Sequence, residues 1–179
     1  MNLTRISLVV LLAVAVLYLG ARVFAASDPV PQVGQTAPSF TLPSQEGTNV
    51  SLDQYRGKWV VLYFYPKDMT SGCTIEAKNF QKDMGKFDAA NAVVLGVSVD
   101  TVKSHQEFCT KDGLHFKLLA DPDKKVIGEY GSVMTQNPNF AARNTFLIDP
   151  TGVIRKVYLA VNPNEHSAAV LADLGTLQH

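Results

Sequence analysis

Residues 59–73 read WVVLYFYPKDMTSGC, and the break inside this stretch decides how the rest of the chain is read. Trp59 to Tyr65 is a near-continuous run of β-branched and aromatic residues, the pattern of a strand covered on both faces. Pro66 ends the run, because its ring nitrogen cannot donate to a ladder. Past Cys73, TIEAKNFQKDMGKF carries Ile75, Phe80, Met84 and Phe87 at helical spacing with no internal proline, which predicts an amphipathic helix. Cys73 therefore falls where a loop leaving a buried strand turns into a helix.

Working outward, NAVVLGVSVD is a second buried strand, and the intervening helix makes the two strands parallel through a right-handed βαβ crossover. TVKSHQEFCTKDG is a second helix, stopped by Gly113. LHFKLLADP is short and ends in a turn, DKKVIGEYG is a short helix, and GSVMTQNPNFAA is a polar loop. RNTFLID and VIRKVYLA flank the turn residues DPTG as an antiparallel hairpin, and NEHSAAVLADLGTL closes as a helix. Upstream, SFTLPSQEGTNVSL alternates around EGTN as an N-terminal hairpin. The order predicts an α/β domain of thioredoxin-like fold, a mixed central β-sheet flanked by helices.

The chain has 179 residues, 46% hydrophobic and 18% charged, which suits one domain with an appendage. That appendage is ISLVVLLAVAVLYLGA, 16 uncharged residues between Arg5 and Arg22, followed by VFAAS. It reads as a cleaved signal peptide ending near Ala25 or as a retained membrane anchor, and either exports the domain, for a bacterium to the periplasm or the extracytoplasmic face of the membrane. Residues 1–25 are thus the leader, 26–36 a polar linker, and 37–179 the folded domain. The formal charge is zero, with no basic excess for nucleic acid. His105, His115, His166 and His179 are scattered, and no two cysteines share ligand spacing, so neither metal nor cofactor is expected.

At a helix start, unpaired backbone N–H groups and the helix dipole favour a thiolate, so Cys73 is a candidate nucleophile, against the alternative of an inert buried thiol. Pro66 stiffens the loop and shields the sulfur without offering a hydrogen bond. Thr70 either points its hydroxyl into the same pocket or caps the helix. An exported chain meets an oxidising compartment, so Cys73 and Cys109 are also a candidate pair.

Pro66, Thr70 and Cys73 match the P-x-x-x-T/S-x-x-C signature, and YFYPKDMTSGCTIEAKNF resembles the Q-type peroxiredoxins, or bacterioferritin-comigratory proteins. GQTAPSFTL, RGKWVVLYFYPKD, LLADPDKKVIGEYG and ARNTFLIDPTGVIRKVY extend the similarity over nearly everything past the linker. The resemblance implies a thiol peroxidase: Cys73 peroxidatic, Thr70 binding peroxide, Pro66 shielding, Arg143 supplying a guanidinium, and Glu76 orienting it. The strand RNTFLID, beside WVVLYFY, brings Arg143 near Cys73. The alternatives are a surface charge for Arg143 and an ordinary first-turn acid for Glu76.

Many Q-type proteins carry a resolving cysteine five residues after the first, where this chain has Lys78. Cys109 instead resembles the variant with the resolving thiol in the second helix, which must unwind for the sulfurs to meet. Packed inward and unreactive, Cys109 would leave a one-cysteine peroxidase served by an external thiol. The family further implies hydrogen peroxide or organic hydroperoxides as substrate, a thioredoxin-like reductant and a monomer. A disulfide reductase fits less well, since no C-x-x-C follows Cys73, and a redox sensor or holdase would need a partner surface.

Overall fold

The strand expected in the opening stretch forms as β3, Trp59–Phe64, with every residue buried. The structure, a computed structural model, describes residues 29–178; the expected leader, 1–25, lies outside the described residues. Before β3 stand the antiparallel hairpin of β1 (Thr41–Pro43) and β2 (Asn49–Ser51) and a 3-10 turn, Leu52–Tyr55. After it follow α1 (Ser71–Ala89), β4 (Ala92–Ser98), α2 (Val102–Asp112), β5 (Lys117–Ala120), α3 (Lys125–Glu129), β6 (Thr145–Ile148), β7 (Ile154–Tyr158) and α4 (His166–Leu177).

The main sheet has the order β5-β4-β3-β6-β7. β3 runs parallel to β4 and antiparallel to β6, so it is flanked on both edges, and its side chains alternate between two cores. Val60, Leu62 and Phe64 join a cluster with the hairpin and α3. Val61, Tyr63 and Tyr65 join the opposite cluster, which contains Cys73, Ala77 and Phe80 of α1, Phe108 of α2, and Val170 and Leu174 of α4. Two right-handed crossovers in the same direction explain why α1 and α2 share that face. Truncating a fully buried ring such as Phe80 costs about 3–5 kcal/mol.

One sequence expectation about α1 fails. Ile75, counted among the inward residues, is 41% exposed, and the inner face runs through Cys73, Glu76, Ala77, Phe80 and Phe87. A charged residue occupies a buried position that periodicity assigns to an apolar one, which marks a place where chemistry overrides packing. The end of α2 is as expected: Gly113 adopts φ 65°, a left-handed conformation that a Cβ would strain. The exposed edge of β5 is covered by Gln45, which accepts from the Leu118 N–H (2.9 Å) and donates to the Phe116 carbonyl (3.1 Å).

Candidate active site

Helix α1 starts after Thr70, whose backbone is extended at φ −80°, ψ 152°. Its first intrahelical bond is Thr74 N–H to the Thr70 carbonyl, 2.9 Å, so the N–H groups of Ser71, Gly72 and Cys73 all precede it. Cys73 lies within this first turn, 1% exposed. To reach the helix from β3 the loop passes through Met69 at φ 58°, left-handed for a side-chain-bearing residue at a cost of about 1–2 kcal/mol.

Arg143 arrives by sheet register. In the β3–β6 ladder Tyr63 faces Thr145, and one step further the Phe64 N–H donates to the Asn144 carbonyl at 2.8 Å. Arg143 immediately precedes this last rung, in a tight turn closed by the Asn144 N–H to the Ala142 carbonyl at 2.9 Å. From there its Nη2 donates to Cys73 Sγ at 3.2 Å and its Nη1 donates to Glu76 Oε2 at 2.6 Å. Glu76 is one helical step from Cys73 and 1% exposed, so its carboxylate is a buried charge answered by a bidentate-capable cation. Gly72 makes room for this contact: a Cβ there would stand 2.9 Å from Arg143 Nη2.

Pro66, half-buried, and Arg143 line a hollow of about 290 Å³ together with Met134, Ala142, Ala160 and Val161. The hollow is mainly apolar, its polar lining being the Arg143 guanidinium, Gln136 and Asn144. The Thr70 hydroxyl is exposed and donates to the Lys67 carbonyl at 3.1 Å, so in this structure it neither caps α1 nor bonds to the sulfur. Cys73, Glu76 and Arg143 are therefore gathered in one place, with Pro66 lining the hollow beside Arg143 and Thr70 exposed at the start of α1.

Cys109 lies on α2, partly buried against the same core as Cys73, and both thiols are free. Burial, reinforced by the carboxylates of Asp68 and Glu46, pushes its thiol up to about 11. The start of α2 is fastened to the loop between β3 and α1. Asp68, 4% exposed, accepts from the Tyr65 hydroxyl (2.6 Å), the Ser104 hydroxyl (2.7 Å) and His105 Nδ1 (2.8 Å). Lys78, standing where many Q-type relatives have a resolving cysteine, forms a 3.0 Å ion pair with Asp112 at the other end of α2.

Sequence reasoning missed three participants. Asp68 lies inside PKDMTSGC but reads as an ordinary loop acid. His105 and His166 carry no local signal, and the partner of His166 is Glu76, 90 residues away, at 2.8 Å between Nδ1 and Oε1.

The AhpC/TSA family model matches residues 33–157. The chain is a peroxiredoxin of the AhpC/TSA family. A Coxiella burnetii relative named peroxiredoxin bcp is 48% identical over 149 residues, 80% of this chain and 98% of that one. Peroxiredoxin Bcp of Bacillus subtilis is 40% identical, over 80% of this chain and 94% of its own. Among solved structures, a PrxQ variant from Xylella fastidiosa superposes with a TM-score of 0.79 at 34% identity, covering 84% of this chain and 99% of that one. As a peroxiredoxin close to the Bcp and Q proteins, the chain is a thiol-dependent peroxidase with a thioredoxin-like fold.

Proposed function

We propose that the chain is an exported two-cysteine peroxidase in which Cys73 reduces peroxide and Cys109 resolves the product. The observation that carries this reading is the 3.2 Å contact from Arg143 to a buried sulfur in the first turn of a helix. The Cys73 thiolate attacks one peroxide oxygen, the O–O bond breaks, and the departing oxygen takes a proton to leave as water or an alcohol. Negative charge grows on that leaving oxygen. The guanidinium of Arg143 and the N–H groups of the α1 first turn are fixed donors for it, and the Thr70 hydroxyl at the start of α1 supplies another once it turns from the Lys67 carbonyl to bound substrate. Pro66 keeps bulk water from the sulfur. The apolar hollow beside Arg143 suits the carbon chain of an organic hydroperoxide, and a Xanthomonas campestris bacterioferritin comigratory protein similar to this chain is described by its alkyl peroxide reduction activity.

Cys73 then carries a sulfenic acid. Cys109 attacks that sulfur, an S–S bond forms, and water leaves; a thioredoxin-like dithiol then returns both sulfurs to thiols by giving up two electrons and two protons and becoming a disulfide itself. Since Cys109 sits inside α2, the helix has to unwind first, and unwinding also releases the thiol from the surroundings that hold its proton. Residues 1–25 would direct export by cleavage or anchoring, and the enzyme would act as a monomer, the state expected for the Q type.

The decisive experiment is peroxide consumption by Cys73→Ser and Cys109→Ser, with and without thioredoxin. Cys73→Ser should abolish turnover; Cys109→Ser should keep one turnover and lose cycling with a dithiol. Retained activity in Cys73→Ser overturns the peroxidatic role. After one equivalent of peroxide, mass spectrometry should show a Cys73–Cys109 disulfide, whereas a lasting sulfenic acid would mean that an external thiol resolves it.

A further inference from the structure

We propose that His166 is a positioning residue for the peroxide-reducing step, acting on Cys73 through Glu76 and Arg143. The inference rests on the reading that Arg143 assists Cys73. Glu76 Oε2 accepts from Arg143 Nη1 at 2.6 Å, and Glu76 Oε1 lies 2.8 Å from His166 Nδ1. A carboxylate engaged by a guanidinium on one oxygen offers only an acceptor on the other, so Nδ1 carries the proton and donates. The line His166, Glu76, Arg143, Cys73 is thus continuous, and each link donates toward the sulfur or holds a donor that does.

The setting removes the freedom that such a carboxylate would otherwise have. Glu76 and His166 side chains are each about 1% exposed. The imidazole meets Phe80 edge-on at 5.0 Å between centroids and Tyr158 at 5.9 Å. Among the described residues its buried Nε2 has no partner and the ring makes a single polar bond, which points at Glu76. Without it, Oε1 becomes an unmatched anionic oxygen, and the carboxylate can turn about its own axis and carry the guanidinium off the sulfur. Besides Glu76, Arg143 and Cys73, the titratable groups facing this cluster are Tyr158 on β7 and Tyr63 on β3, whose hydroxyl is itself raised by burial and by Glu76 and Cys73.

A purely structural account of His166 also exists, and it can be separated. Glu76, Asn79 and Asp83 follow at intervals of three and four along α1 and all hold the start of α4. Asn79 Nδ2 donates to the Pro163 carbonyl (3.0 Å), and the Ser167 hydroxyl donates to Asp83 Oδ2 (2.8 Å). Only the His166 bond leads to Arg143. Ser167→Ala therefore loosens the same junction without touching the line to the sulfur.

The test compares His166→Leu, His166→Asn and Ser167→Ala in the full-length protein. It reads the second-order rate of the first peroxide turnover and the rate of Cys73 alkylation across pH in a Cys109→Ser background. His166→Leu, which keeps bulk and removes the donor, should slow peroxide reduction by about 10-fold or more, in keeping with small misplacements of a positioned group. His166→Asn, whose amide N–H can replace Nδ1–H, should recover most of the rate, and Ser167→Ala should stay near wild type even where its unfolding midpoint falls as far. A normal rate in His166→Leu, an Asn variant as slow as Leu, or an equal loss in Ser167→Ala overturns the proposal. Should His166→Leu not fold, the wild-type proton spectrum decides: the low-field His166 Nδ1 proton should shift on Arg143→Lys, and an unmoved signal refutes the coupling. Cys73→Ser keeps the two readings apart. If it still reduces peroxide, the peroxidatic role of Cys73 fails; if it is inactive while His166→Leu is fast, only the role of His166 fails.

Discussion

Ser104→Ala should make the Cys73–Cys109 disulfide form faster, although it removes a stabilising bond. The Ser104 hydroxyl donates to Asp68 Oδ2 at 2.7 Å, one of two bonds, with that from His105, by which Asp68 ties the N-terminal half of α2 to the loop after β3. A hydrogen bond to a charged partner contributes about 1.5–3 kcal/mol. Ser104 is only half-buried and Asp68 keeps its other two donors, which puts the loss at the low end. Alanine returns about 0.5 kcal/mol in helix propensity. A net loosening of about 1 kcal/mol remains, which raises the open population of α2 roughly fivefold at constant temperature. If unwinding precedes disulfide formation, that rate rises by the same factor.

The assay mixes reduced protein with one equivalent of peroxide, quenches with an alkylating reagent at intervals, and counts disulfide by mass. Hydrogen exchange of the α2 amides provides the independent measure of opening. The same variant should resist over-oxidation by excess peroxide, because its sulfenic acid lives for less time. Faster exchange in α2 with an unchanged or slower disulfide rate would refute the reasoning, since the latch would then not lie on the path of resolution.

Three further outcomes can be checked. Gly72→Ala should leave stability unchanged or slightly raised, as alanine favours the helix, yet slow peroxide reduction severalfold by pushing Arg143 Nη2 from its 3.2 Å contact with Cys73; equal rates by stopped flow would refute it. Glu76→Gln should lower unfolding stability by about 1–2 kcal/mol, the difference between a charged and a neutral partner for Arg143, and slow peroxide reduction; denaturant titration and initial rates give both numbers. Cys109 should be alkylated increasingly fast from pH 8 to 10. Its thiol stands at about 11 in the docked helix and returns toward about 8.5 once unwound. In that window the open segment gives up its proton before the docked one does. The stability contributed by the docked thiol is complete below the lower value and is lost as pH rises through the upper one. A pH profile identical to that of an unstructured cysteine peptide would contradict this.

Much of this protein was legible without coordinates because the signals are local. The apolar run of β3, the proline that stops it, the helical spacing beyond Cys73 and Gly113 at the end of α2 each depend on neighbours a few residues away. The same locality brought Pro66, Thr70 and Cys73 together within one loop and helix start. A buried second strand after a helix also implied the parallel pairing of β3 with β4, because handedness leaves few other arrangements.

What only the tertiary structure decided are the partners at long range. Arg143 reaches Cys73 across 70 residues through the register of β3 with β6, and a slip of one residue would send its side chain to the other face. Glu76 looks like any first-turn acid until Arg143 and His166 bury it, and Ile75 looks like core until the helix turns Glu76 inward instead. Asp68, Ser104 and His105 meet only because α1 and α2 pack on one face of the sheet. Periodicity says which side of an element is apolar; the direction in which a buried charge finds its counter-charge is set by how the finished elements pack.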